Sequence, residues 1–262
     1  MKKALLVISF GTSYHETRIK NIEACEADIQ KAFPDRDFFR AWTSSMIRKK
    51  IAKRDQINID SPKEALERLL QLGYTDIAIQ SLHVINGDEF EKIISEVAVY
   101  QDKFEKIVIG KPLLNSFDDY QFVIDALCAQ SPILQPDERI LLMGHGASHH
   151  AFSAYACLAH MLRERNLPIM LGAVESYPEL DSILPQLMAA KIKKVHLMPF
   201  MVVAGDHAIN DMASEHEDSW SSQIRALGIE TENHLCGLGE NKQIRALFVQ
   251  HLQQALNEGN NL

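Results

Sequence analysis

Short runs of consecutive apolar residues recur along the chain. Each is followed by a longer stretch in which apolar residues return every three or four positions. The runs cover residues 3–9, 37–42, 76–82, 106–110, 139–143, 169–173, 194–199 and 230–235. Such runs predict strands buried on both faces, and the stretches between them predict amphipathic helices. One helix is expected over 19–31, where Ile19, Ile22, Cys25 and Ile29 share a face. Another is expected over 62–72, where Asp60 and Ser61 precede Pro62 and suit an N-cap followed by proline in the first turn. Eight strands alternating with helices predict parallel α/β sheets.

The pattern also repeats itself. Leu5-Leu6-Val7-Ile8-Ser9-Phe10-Gly11-Thr12-Ser13-Tyr14-His15 aligns with Ile140-Leu141-Leu142-Met143-Gly144-His145-Gly146-Ala147-Ser148-His149-His150 at an offset of 135. Residues 40–44 align with 172–176 at 132, and 77–89 with 195–207 at 118, the last pair sharing Gly-Asp at 87–88 and 205–206. Each half then closes with a strand, a loop (Pro112-Leu113-Leu114-Asn115 or Gly237-Leu238-Gly239-Glu240) and a helix. Their common order is what makes these short matches persuasive. The expected architecture is α/β: two Rossmann-like domains with parallel sheets, related by pseudo-twofold symmetry, with a cleft between them. Breaks at Ser131-Pro132 and Gln135-Pro136 set the domains at 1–130 and 131–262, with the C-terminal helix free to pack back on the first.

Composition narrows the function. Hydrophobic residues make up 46% and charged residues 24% of 262 residues, which fits a chain with a substantial core. A net charge of -8 argues against nucleic acid or an anionic membrane as partner. The apolar run after Lys2-Lys3 spans only Ala4 to Ile8 and ends at Gly11, too short for a signal peptide. A cytoplasmic location is expected, with Cys25, Cys128, Cys157 and Cys236 as free, mostly buried thiols.

In open parallel sheets, ligands bind beyond the carboxyl ends of the strands. All the repeated motifs sit there, and the two halves differ in chemistry. His145 stands where the first half has Phe10, expected to pack as a hydrophobe; His207 stands where it has Glu89. Two imidazoles and a carboxylate suit a first-row divalent ion with open positions. Glu89 also suits a helix amino end, His149 and His150 suit capping or ligand contact, and His83 lies near the same rim. His160 and His251 in helical stretches, His234 near a strand end and His196 packing within a strand read as ordinary histidines. Ser214-Glu215-His216-Glu217-Asp218 reads first as a solvated loop capping a helix, second as a weak cation-collecting site. No complete phosphate-binding fingerprint occurs, although Thr12, Ser13 and Thr43-Ser44-Ser45 could hold carboxylates on loop amides. Arg48, Lys49, Lys50, Lys53 and Arg54 form the main basic cluster, as a solvated helix face or as ligand contacts.

These motifs, with Gln80-Ser81-Leu82-His83-Val84-Ile85-Asn86-Gly87-Asp88-Glu89, Gly172-Ala173-Val174-Glu175-Ser176-Tyr177-Pro178 and Gly205-Asp206-His207-Ala208-Ile209-Asn210-Asp211-Met212, span nearly the whole chain. In them the chain resembles the CbiK-type cobaltochelatases, a branch of the class II chelatases that also include protoporphyrin ferrochelatases. The resemblance implies ATP-independent insertion of Co2+ into sirohydrochlorin in the oxygen-independent branch of cobalamin synthesis. It implies His145, His207 and Glu89 as catalytic and metal-binding groups. Phe10, Gly11, Thr12, Ser13, Ser44, His83, Gly146 and Glu175 are the expected tetrapyrrole contacts. The metal is substrate, Co2+ or Fe2+, and no permanent cofactor is expected; a homo-oligomer is compatible with the sequence. An iron chelatase, a non-catalytic metal or tetrapyrrole carrier and a metal-dependent hydrolase are the alternatives.

Overall fold

The computed structural model describes residues 1–259. Strand β1 (Lys3–Ser9) leads through α1 (His15–Thr17) and a π-helical turn (Arg18–Glu23) into α2 (Ala24–Ala32). There follow β2 (Asp37–Trp42), α3 (Ser45–Asp55), α4 (Pro62–Gln71), β3 (Asp76–Ser81), α5 (Asp88–Ala98), β4 (Lys106–Gly110) and α6 (Phe117–Gln130). The rest of the chain forms β5 (Glu138–Gly144), α7 (Ser153–Glu164), β6 (Ile169–Ala173), α8 (Leu180–Ala189), β7 (Lys194–Phe200), a π-helical turn (His207–Met212), α9 (Trp220–Ala226), β8 (Glu230–Asn233) and α10 (Lys242–Glu258). No described helix is long and apolar enough to cross a membrane.

The contacts divide the chain into two compact units. One holds residues 1–119 together with the chain from Lys242 onward; the other is Tyr120–Asn241. The sequence break at Ser131-Pro132 therefore does not coincide with the division of contacts. The division falls inside α6, and α10 joins the first unit, where it packs on α2 and β4. Its His251 reaches the carbonyl of Lys111 at 3.1 Å and Asp119 Oδ1 at 2.9 Å. His251, read from the sequence as ordinary, is thus a buried hydrogen-bonded anchor.

Each unit is a four-stranded parallel sheet, ordered β2-β1-β3-β4 in the first and β6-β5-β7-β8 in the second. The matching order is the physical form of the sequence repeat. Register confirms two of the three offsets: Leu5 pairs with Ala78, and Ile140, 135 residues later, pairs with His196, which is 118 after Ala78. The third is corrected by one residue. Ser9 pairs with Trp42 and Gly144 with Ala173, so the second strands correspond at 131, not 132.

The two central strands of each sheet are apolar because helices cover both faces. In the first unit Leu6, Ile8, Ile77, Ile79, Ile107 and Ile109 pack against Leu66, Leu69, Ile93 and Val97 of α4 and α5. In the second, Leu141, Met143, Val195 and Leu197 pack against Ile183, Leu187, Trp220 and Ile224. Helix α4 begins as its sequence dictates. Ser61 Oγ accepts from the Glu64 amide, Glu64 returns the bond to the Ser61 amide, and Pro62 supplies the first turn. The helix expected over 19–31 is interrupted instead. Asn21 Nδ2 donates to the Thr17 carbonyl at 3.0 Å inside a π turn that buries Arg18, Asn21 and Ile22.

All four cysteines are free, but only Cys25 is buried, and that burial pushes its thiol up to about 12. Cys128 and Cys157 lie on exposed faces of α6 and α7, and Cys236 in the loop after β8, contrary to the expected burial.

Candidate metal centre

The loops that carry the chemistry are built alike in both units. Strands β1 and β5 each end in a turn whose glycine takes a left-handed conformation, Gly11 at φ 96° and Gly146 at φ 93°. A Cβ on Gly146 would lie 2.8 Å from the Ser176 amide, so only glycine fits. The next strand then hooks onto this turn. Thr43 and Ser44 amides donate to the Ser9 and Phe10 carbonyls at 2.9 and 3.2 Å; Val174 and Glu175 amides donate to Gly144 and His145 at 3.0 and 3.0 Å. By this geometry Glu175, not Ser176, is the counterpart of Ser44.

The second unit brings three side chains together. The rings of His145 and His207 meet edge to face with centroids 4.6 Å apart. His145 Nδ1 lies 3.6 Å from Glu175 Oε2. One ligand atom from each of His145, Glu175 and His207 falls within 4.8 Å of the others. The sequence reading found the two histidines but placed Glu175 only among the tetrapyrrole contacts. The one-residue slip in the repeat sets Glu175 against Thr43 instead of Ser44, and in either register a carboxylate replaces a hydroxyl.

The hydrogen bonds settle the tautomers. His145 Nδ1 faces the Gly146 carbonyl at 3.1 Å, and a carbonyl can only accept, so Nδ1 carries the proton. His207 Nδ1 donates likewise to Asp211 Oδ2 at 2.6 Å. Both Nε2 lone pairs are left for a metal or a proton, with Asp211 orienting its ring as carboxylates behind metal-bound histidines do. Asp211 was missed by the sequence reading, although its i+4 spacing from His207 was the available signal. The pair lies within the π turn over His207–Met212.

Glu89 belongs to the first unit, in the first turn of α5. Burial pushes its carboxyl up, but the Lys92 ammonium at 2.6 Å and nearby Thr43 prevail and hold it below its usual value. Its neighbour His83 is partly exposed, yet its Nε2 is buried without a hydrogen-bond partner, while Nδ1 lies 2.8 Å from Ser81 Oγ. Burial pushes this imidazole down to about 4, against the opposing pull of Glu89. The unfolded chain, with an ordinary histidine near 6.5, therefore binds a proton between about pH 6.5 and 4 that the folded chain refuses. Folding stability is lost as pH falls through that window. We expect urea unfolding at pH 7 and pH 5 to differ by about 1–2 kcal/mol more in the wild type than in His83→Gln. Equal pH dependence of the two would reject the assignment.

The other expected contacts are mixed. Phe10 is 44% exposed rather than packed, because Trp42 already fills the space under the Gly11 turn. Thr12, Ser13 and Ser44 are buried. Thr12 Oγ1 accepts from the Tyr14 amide, and Ser44 Oγ caps α3 by accepting from the Ile47 amide. Arg48 is tied to Glu64 at 2.9 Å, and Arg54 to Asp55 and the Ser13 carbonyl. His149 caps a short turn by accepting from the Ala151 amide. In the acidic loop, Glu215 pairs with Arg225 and Ser219 caps α9, the plainer of its two readings.

Solved structures with this architecture include SirB from Bacillus subtilis with Fe3+, at TM-score 0.63 and 14% identity over 98% of this chain and 97% of that one. CbiX, described as the terminal enzyme for siroheme biosynthesis in denitrifying bacteria, gives 0.52 and 16% over 97% and 99%. The fold is thus that of the two-unit α/β chelatases. The sequence model of the cobalt chelatase (CbiK) family matches residues 3–257, and the chain belongs to that family. It is 56% identical to the sirohydrochlorin cobaltochelatase of Salmonella typhimurium, over 98% of this chain and 97% of that protein. It is 32% identical to the sirohydrochlorin cobaltochelatase CbiKC of Nitratidesulfovibrio vulgaris, over 97% and 91%.

Proposed function

We propose that this chain inserts Co2+ into sirohydrochlorin without ATP, in the oxygen-independent route to cobalamin. Both substrates are small: a divalent ion and a tetrapyrrole bearing carboxylates, handled in the cytoplasm without nucleic acid or membrane. The observation that carries the reading is the clustering of His145, His207 and the Glu175 carboxylate, one ligand atom of each lying within 4.8 Å of the others. Family membership and the two curated relatives supply the substrate.

Insertion exchanges two pyrrole N–H protons for one dication. The ion must shed water, and the ring must give up protons as its nitrogens take the metal. Two imidazoles and a carboxylate replace part of the hydration shell while leaving positions open. Imidazole as a side chain type serves in proton transfer as well as in metal ligation. Glu89 is the proposed third participant in catalysis, and Glu175 is added to the ligand set that the sequence suggested. Phe10, with its exposed ring, and the turns at Gly11 and Gly146 are the proposed contacts for the flat macrocycle.

The test is an absorption assay with metal-free sirohydrochlorin and Co2+ in excess over protein. We expect many equivalents of metallated product per chain. A spectral change that stops at one equivalent would make the protein a carrier and end the catalytic reading.

A further inference from the structure

At the opposite end of the second sheet lies another set of metal-binding groups. His196 on β7, Glu232 on β8 and His234 just after it each present a ligand atom within 4.8 Å of the others. The strand positions set this cluster apart from the first one. His145 and His207 follow the carboxyl ends of β5 and β7, whereas Glu138 opens β5 and His196 is the third residue of β7.

The geometry suits an ion. His196 Nδ1 and His234 Nε2 are 3.0 Å apart. Two nitrogens at that separation, each about 2.1 Å from a metal, subtend an angle of roughly 90° at it. Glu232 lies 3.7 Å from His196 Nδ1 through Oε2 and 3.6 Å from His234 Nε2 through Oε1. Lys194 holds Oε2 at 2.6 Å, so Oε1 is the oxygen available to a metal. Behind His196, Glu138 Oε2 lies 3.4 Å from Nε2. A carboxylate there takes the Nε2 proton and turns the Nδ1 lone pair toward His234, the arrangement found behind metal-bound histidines. Binding then requires only that His234 carry its proton on Nδ1, which changes no charge.

The fold itself does not require these residues. The corresponding positions of the first unit, by strand register, are Ala78 for His196, Val108 for Glu232 and Gly110 for His234. That sheet forms well with none of the polar groups, and there α10 packs on β4. In the second unit β8 is largely exposed instead, so an ion can reach the cluster. His196 is buried, with 6% of its side chain exposed, and its ring stacks on that of His234. Three carboxylates, Glu138, Glu230 and Glu232, face the single ammonium of Lys194 around two imidazoles, leaving negative charge for a dication to neutralise.

We propose that His196, Glu232 and His234, with Glu138 behind His196, form a second site for a first-row divalent ion, separate from the insertion centre. Two imidazoles and one carboxylate favour Co2+, Ni2+ or Zn2+ over Mg2+ or Ca2+. The proposal does not depend on the tetrapyrrole or on turnover.

The test is equilibrium dialysis of the tag-free, full-length protein against Co2+, read by metal content and by the visible absorption of the bound ion. His145→Ala/His207→Ala removes the first centre and is expected to keep one equivalent. Adding His234→Ala, a partly exposed position whose loss leaves the buried His196 in place, is expected to abolish that equivalent. Glu232→Gln in the same background should weaken it at least tenfold. Absence of bound Co2+ in the His145→Ala/His207→Ala protein would overturn the proposal. So would an equivalent that survives both added substitutions.

Discussion

Replacing His145 with alanine is expected to lower the rate of cobalt insertion by roughly 10²–10⁴-fold, the range lost when a positioned proton acceptor is removed. The protein should stay folded. The His145 side chain is 42% exposed and packs into no core; its closest contacts are the Gly146 carbonyl, Glu175 and the ring of His207. Surface changes of that kind shift stability by about 0.5 kcal/mol or less. Two measurements separate the roles: initial insertion rate by absorbance, and unfolding by urea. The Nδ1 proton of His145 is fixed on a carbonyl, so the missing function is that of Nε2 alone. His207→Ala should show a loss of the same order, and Glu175→Gln a smaller one, because an amide oxygen still offers a weak ligand. An insertion rate within a few-fold of wild type in His145→Ala would remove that residue from the chemistry.

Much of this was legible in the sequence, for physical reasons. Strands buried on both faces leave apolar runs, and all eight appear within two residues of their ends at the positions those runs predict. The repeat revealed that His145 and His207 replace Phe10 and Glu89, and thus where the two halves diverge in chemistry. What stayed hidden depended on register or on three-dimensional contact. Glu175 was off by one because short matches tolerate a slip that hydrogen bonds do not. Asp211 reaches His207 by a side-chain contact that the i+4 spacing permits and does not require. His196 and His234 read as ordinary histidines, since 38 positions separate them and only the pairing of β7 with β8 brings them together.

Asp76→Ala is expected to destabilise the first unit by about 3–5 kcal/mol, the usual cost of stranding one member of a buried ion pair. Arg36 grips Asp76 with two parallel bonds of 2.9 and 3.1 Å, and both side chains are almost wholly buried, at 6% and 4% exposure. Arg36 also donates to the main-chain carbonyls of Ala4 and Asp76, each at 3.3 Å. Alanine at 76 leaves the guanidinium without its counter-charge in a site that water does not reach. A double replacement by apolar residues of similar size, Arg36→Met with Asp76→Leu, should cost less than either single change, because it leaves no orphaned charge. Arg36, just before β2, ties the amino end of β2 to that of β3 through Asp76 and to β1 through the Ala4 carbonyl, and the carboxyl ends of β1 and β3 lead to the Gly11 turn and to the loop bearing His83 and Glu89. Register is thereby set at one end for residues used at the other. The second unit does without this lock: the position of Asp76 is held there by Lys194, whose partner Glu232 is half exposed. Lys194→Ala should therefore cost little beside Asp76→Ala. Urea unfolding of these variants checks the contrast, and an Asp76→Ala protein less than about 1 kcal/mol below wild type would show that the pair contributes no more than a surface contact.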